Sequence, residues 1–137
     1  MGDVADQEWL HRRVTAKHCG SIDPPLLSST AFNDPGMKPS VDRASRRGAE
    51  QTQLDPTDGV ARLLTITVRK LVVDRTDAPQ GGPMTYEIDV WARPLADNDA
   101  HAQIEPLPEM TGSRFSKMKE RLARLAQDEG WVIQPTA

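Results

Sequence analysis

The apolar residues of this chain fall into short groups separated by long polar stretches. In "LLTITVRKLVVDR" Leu64, Ile66 and Val68 alternate with Thr65, Thr67 and Arg69, and the density of β-branched residues predicts a strand there. In "MTYEIDVWARPL" Tyr86, Ile88 and Val90 alternate with Glu87, Asp89 and Trp91, a second strand with either set turned inward. The intervening "TDAPQGGP" reads as a hairpin loop, so the two strands are expected to pair antiparallel. "AHAQIEPLP" adds a short third strand that Pro106 and Pro108 should end.

The C-terminal region carries the clearest helical pattern. Ser113 is the expected N-cap, and Phe115, Met118, Leu122, Leu125 and Ala126 form one apolar stripe. Gly130 reads as the stop, after which "WVIQP" returns to extended chain. "EWLHRRVT" near the other end places Trp9, His11 and Arg13 on one face if extended, with Leu10, Arg12 and Val14 on the other. Neither face is cleanly apolar, so strand and short helix both remain open. From Lys17 to Pro39 the chain reads as irregular, with turns at Asp23-Pro24-Pro25 and Asn33-Asp34-Pro35-Gly36 and with Leu26, Leu27 and Phe32 pinning the loop to the core. Weak helical character over Ala44 to Gln53 ends at Asp55-Pro56-Thr57-Asp58-Gly59. The predicted fold class is α+β: a small, mostly antiparallel sheet with one or two covering helices and long polar loops. Residues 1–7 are expected to be a disordered tail and residues 8–137 a single domain.

At 137 residues the chain has the length of one domain. Trp9, Trp91 and Trp131 are expected to anchor its core, because only three other aromatic residues exist. Seventeen basic and 20 acidic residues give a net charge of −3, which disfavours binding to a phosphate backbone. The single cysteine, Cys19, rules out an internal disulfide framework and suits a reducing compartment. "MGDVADQEW" has no apolar signal region, and Asp6 stands where a myristoylation motif wants Ser or Thr. No apolar stretch approaches the ~20 residues of a membrane span. The expectation is a cytoplasmic protein with no membrane association.

Catalytic motifs are incomplete. His11, His18, Cys19 and His101 lack the paired spacing of a metal site, so neither metal nor cofactor is expected. Ser28, Ser29 and Thr30 lack the turn that exposes a nucleophile and suit capping of the local backbone. Asp97 and Asp99 beside His101 could support proton transfer, which makes His101 and Asp97 the catalytic candidates. Gly81-Gly82 lacks the following helix of a phosphate cradle. Arg43, Arg46 and Arg47 form one basic cluster, and Arg114, Lys117, Arg121 and Arg124 flank the apolar stripe of the last helix. Convergence of the two clusters would make an anion site.

The segments "HRRV", "SSTAF", "SVDR", "PLADNDAHAQI" and "RLARLA…WV" occur in an order that resembles a group of small uncharacterised bacterial proteins with no established activity. The resemblance covers Trp9 to Val132 and implies an address for function at Arg12-Arg13, Ser28 to Phe32, Ser40 to Arg43 and Asp97 to His101. On that basis Arg12, Arg13, Ser28, Ser29, Asp42 and Arg43 are the candidate ligand-binding residues. The leading expectation is a binding or accessory module working with a larger bacterial protein, with a protein partner and an anionic small ligand. The alternatives are a small enzyme acting on a nucleotide or phosphorylated ligand, in which His101 moves a proton, and a nucleic-acid-binding protein using the basic helix.

Overall fold

The computed structural model describes residues 2–77, 81 and 84–136. It is a small α+β fold with a mostly antiparallel six-stranded sheet. In chain order the elements are β1 (Trp9–Val14), β2 (Cys19–Ile22), β3 (Pro25–Leu27), β4 (Ser40–Arg43), α1 (Ala49–Thr52), β5 (Gly59–Leu64), α2 (Thr65–Arg69), β6 (Glu87–Ala92), β7 (His101–Leu107), α3 (Gly112–Glu129) and β8 (Trp131–Ile133). Two 3-10 turns, Ala16–His18 and Ser29–Phe32, lie on either side of the small β2–β3 ribbon. The main sheet runs β6-β7-β4-β1-β5-β8.

"WLHRRV" is a strand, and its alternation decides what each face does. Leu10 and Val14 enter the core, whereas His11 and Arg13 stand on the opposite face. α3 covers the core face, burying Phe115, Met118, Leu122 and Ala126 against β5, β3 and the Ser29–Phe32 turn. Gly130 closes α3 with φ 83°, the left-handed region that a residue without Cβ enters freely. The N-cap is Thr111, two residues before the expected Ser113, so the helix gains Gly112 and Ser113 in its first turn.

The alternation at Leu64, Ile66 and Val68 misleads. β5 stops at Leu64, which pairs with Trp9 at the start of β1, so the sheet offers no partner beyond it. The chain turns into α2 instead, with Thr65 and Val68, three residues apart, both buried. Thr65 N–H and Oγ1–H donate to the Glu8 carbonyl, and Thr67 Oγ1–H donates to that of Leu64. The two expected strands therefore do not pair with each other: β5 lies between β1 and β8, while β6 pairs with β7 at the other edge. Around the loop, among the described residues, only an isolated antiparallel bridge joins Asp74 to Thr85. Most of the "TDAPQGGP" loop, including Gly82, lies outside the described residues.

Pro106 lies inside β7, opposite Ile88, rather than ending it. β4 accompanies β7 only as far as Gln103, so the missing N–H of Pro106 faces an edge where no ladder bond is needed. The three tryptophans are all half-buried, not the centre of the core. That centre is Phe32, Leu10, Leu63, Ile104, Met118 and Leu122. Trp9 lies under the Arg62 guanidinium and Trp91 under that of Arg93, using ring faces the core does not need.

The residues expected as a tail run along the free edge of β6. Val4 is only 1% exposed. Gly2 N–H donates to Asp89 Oδ2 at 2.5 Å, and Asp3 Oδ1 accepts the Ala92 N–H at 2.7 Å. A Cβ on Gly2 would lie 2.1 Å from the Val90 carbonyl oxygen, so this close approach requires glycine. Arg69 fastens the arrangement by donating to Asp89, Asp6 and the carbonyls of Gly2 and Val90. Open β-edge groups of β6 are thereby satisfied within the chain.

Candidate functional site

The face of the sheet opposite α3 carries a cleft of about 280 Å3. Its floor is β1 and β4, its wall is α1, and the turn before β7 closes one end. Strand register assembles the floor: His11 stands opposite Asp42 on one side and Arg62 on the other. Side chains at directly opposed positions lie roughly 5 Å apart at Cβ, which puts a histidine, an acid and a guanidinium in one row.

Asp42 is nearly buried, and both its oxygens are engaged. Thr52 Oγ1 donates to Oδ2 at 2.7 Å, and Asn98 Nδ2 donates to Oδ1 at 2.8 Å. Arg47 Nε lies 3.9 Å from Oδ2, a loose ion pair that leaves most of the guanidinium free. Arg13 is 41% exposed and makes one long contact, 3.4 Å, to Asp58. Gln51 accepts the Gly48 N–H through Oε1, and its NH2 has no partner among the described residues.

Arg12 differs sharply from its neighbour. Its Nε, Nη1 and Nη2 donate to the carbonyls of Ala31, Ser40 and Asn33 at 2.9, 2.7 and 2.9 Å. The guanidinium also lies over the Phe32 ring. Arg12 is the post around which the loop "SSTAFNDPGMKPS" is wound, and it has little donor capacity left for a ligand.

Burial pushes the His11 pKa down; nearby Arg62 adds to the effect, while Asp42 and Glu50 oppose it. His11 Nδ1 is buried without a hydrogen-bond partner. A bare lone pair is the cheaper group to bury unpaired, so the proton belongs on Nε2. His18 is pushed down by burial and then by the charges of Lys17, Arg12 and Arg13. Both imidazoles are thus biased to the neutral form.

Among the sequence candidates, Arg12, Arg13 and Asp42 line this cleft. Ser28, Ser29 and Arg43 do not. Ser28 caps the 3-10 turn by accepting the Thr30 N–H, and Ser29 faces α3 in a separate hollow with Glu120 and Arg124. Arg43 is paired to Glu8 at 2.9 Å. Asp97 is exposed in the turn, and its neighbour Asn98 is the residue that reaches the cleft. His101 sits behind the cleft wall and bonds Ser40 Oγ at 3.0 Å. The basic residues of α3 do not join Arg47: Lys117 pairs with Glu120, and Arg121 donates to the Val72 carbonyl. Sequence reasoning missed Gln51, Thr52 and Asn98 as lining residues, and of the basic cluster Arg43, Arg46 and Arg47 only Arg47 lines the cleft. His11 had a signal, since it shares its strand face with Arg13.

Cys19 donates weakly to the Thr15 carbonyl, and burial pushes its thiol pKa up, away from thiolate chemistry. No group of three or more His, Cys, Asp or Glu able to hold a metal occurs among the described residues. No helix among them is long and apolar enough to cross a membrane. No family model, curated protein or solved structure matches the chain.

Proposed function

We propose that this chain is a binding module whose cleft takes a small ligand bearing a carboxylate or phosphate group. The observation that carries the reading is the imbalance of unspent hydrogen-bonding groups. Arg13, Arg47 and the Gln51 NH2 are donors with little or nothing to donate to, and His11 beside them makes no hydrogen bond through Nδ1. The principal acceptor, Asp42, is already satisfied on both oxygens. An oxyanion is the complement of such a surface, and guanidinium groups bind it through paired N–H donors. The acid beneath the donors is already hydrogen-bonded by Thr52 and Asn98, and the nearby Arg47 and Arg13 guanidinium groups outnumber its single charge.

Leu54, 72% exposed, stands at the mouth and would meet an apolar portion of the ligand. A module of this size would serve as the ligand-binding accessory of a larger bacterial protein. Isothermal titration with inorganic phosphate and with succinate tests the reading. Binding that weakens roughly tenfold or more in Arg13→Ala, the loss of a charge-assisted hydrogen bond, is the expected result. Equal affinity in wild type and in the Arg13→Ala, Arg47→Ala double variant would overturn it.

A further inference from the structure

The hydrogen bond between Ser40 and His101 has a direction. His101 Nδ1 lies 2.7 Å from the Arg93 carbonyl oxygen, which can only accept, so Nδ1 carries the proton. The lone pair of the neutral ring is then on Nε2, 3.0 Å from Ser40 Oγ, and the hydroxyl must be the donor. Hydroxyl, imidazole and an acceptor that fixes the ring form the chain a serine nucleophile needs. Here a main-chain carbonyl fills the orienting position usually held by a carboxylate.

The sheet builds this relay rigidly. Asp42 pairs with His101 and Ser40 with Gln103, so Ser40 and His101 are diagonal neighbours on one face. Arg93 N–H donates to the His101 carbonyl at 2.9 Å, which locks the residue that orients the ring. Ser40 lines the cleft while His101 lies behind it, so a molecule in the cleft meets the hydroxyl before it meets the base.

We propose that Ser40 is a nucleophile for acyl transfer, with His101 as its general base, acting on a carboxylic ester whose acyl portion carries an anionic group. Ser40 Oγ bonds to the ester carbonyl carbon as its proton passes to His101 Nε2. Collapse of the adduct breaks the carbonyl carbon–alkoxy bond, and His101 returns the proton to the departing alcohol. Water then adds to the acyl-serine with its proton taken by Nε2, and Ser40 Oγ leaves reprotonated. The net change is ester plus water to acid plus alcohol. The anionic group of the substrate rests on the binding reading above; the Ser40–His101 relay does not.

A neutral alkyl fluorophosphonate separates the two. The full-length protein should gain one adduct, located by peptide mass analysis at Ser40. Ser40→Ala should gain none, and His101→Gln should react roughly 100-fold more slowly, the usual scale for a lost general base. No adduct on the wild type, an adduct on another residue, or an unchanged rate in His101→Gln would overturn the assignment. Protein-dependent hydrolysis, above the protein-free rate, of phenyl hydrogen adipate should exceed that of phenyl acetate, a preference lost in Arg13→Ala. Labelling at Ser40 without that preference would overturn the anionic substrate and leave the nucleophile standing.

Discussion

Asn98 Nδ2 donates to Asp42 Oδ1 at 2.8 Å and ties the turn before β7 to the floor of the cleft. Removing that donor leaves a nearly buried carboxylate oxygen unsatisfied. Asn98→Ala should lower stability by about 1–2 kcal/mol, read as a lower urea midpoint at unchanged slope. An unchanged midpoint would show that water replaces the amide without loss.

Arg12 and Arg13 are adjacent and opposite in role. Arg12→Ala strips donors from three main-chain carbonyls and should cost about 3 kcal/mol. Arg13→Ala removes only a long contact to Asp58, whose Oδ2 keeps the Asp55 N–H, and should cost no more than about 1 kcal/mol. Chemical denaturation of the two variants side by side decides this; equal losses would contradict the division.

The Arg69–Asp89 pair holds the N-terminal segment on the edge of β6. Its side chains are mostly buried, at 9% and 11% exposure, so Arg69→Met should cost about 3 kcal/mol by stranding Asp89. Burial alone would raise the Asp89 pKa, but the Arg69 hydrogen bond, the N–H groups of Val90 and Gly2 and the Arg69 charge outweigh it, and the net shift is downward. The folded state therefore holds this proton more weakly than the unfolded chain. That stability is present above the unfolded value of about 3.9 and is lost as pH falls through the lower folded one. Acid unfolding followed by circular dichroism should move to higher pH in Arg69→Met.

His11 and His18 act at milder pH. Both are held below the ordinary histidine value, burial being the largest cause in each. As pH drops below about 6.5 the unfolded chain binds protons that the folded chain refuses, so stability falls. His11→Gln should flatten the decline in stability between about pH 7.5 and 5.5. A decline unchanged in both His11→Gln and His18→Gln would show that neither imidazole causes it.

The sequence carried the local elements better than their connections. α3, the strand around Ile88 and the strand after Ala100 were legible because each keeps one period over its length. Leu64 to Val68 was not. Three alternating apolar residues favour a strand over a helical turn, and only the end of β1 at Trp9 overrides them. The cleft was half legible. "HRRV" showed His11 and Arg13 on one face, but nothing local distinguishes a free Arg13 from an Arg12 committed to three carbonyls. Ser40 and Asn98 lay inside segments the resemblance pointed to, but their contacts follow only from strand register and a turn, relations that span many residues.

An NMR titration of 15N-labelled protein with inorganic phosphate tests the central claim most directly, since it reports where an anion binds as well as whether it does. The account predicts saturable shifts concentrated at Arg13, Arg47, Gln51 and His11, and their loss in the Arg13→Ala, Arg47→Ala variant. Shifts centred on the Lys117–Arg124 face of α3, or none that saturate, would contradict it.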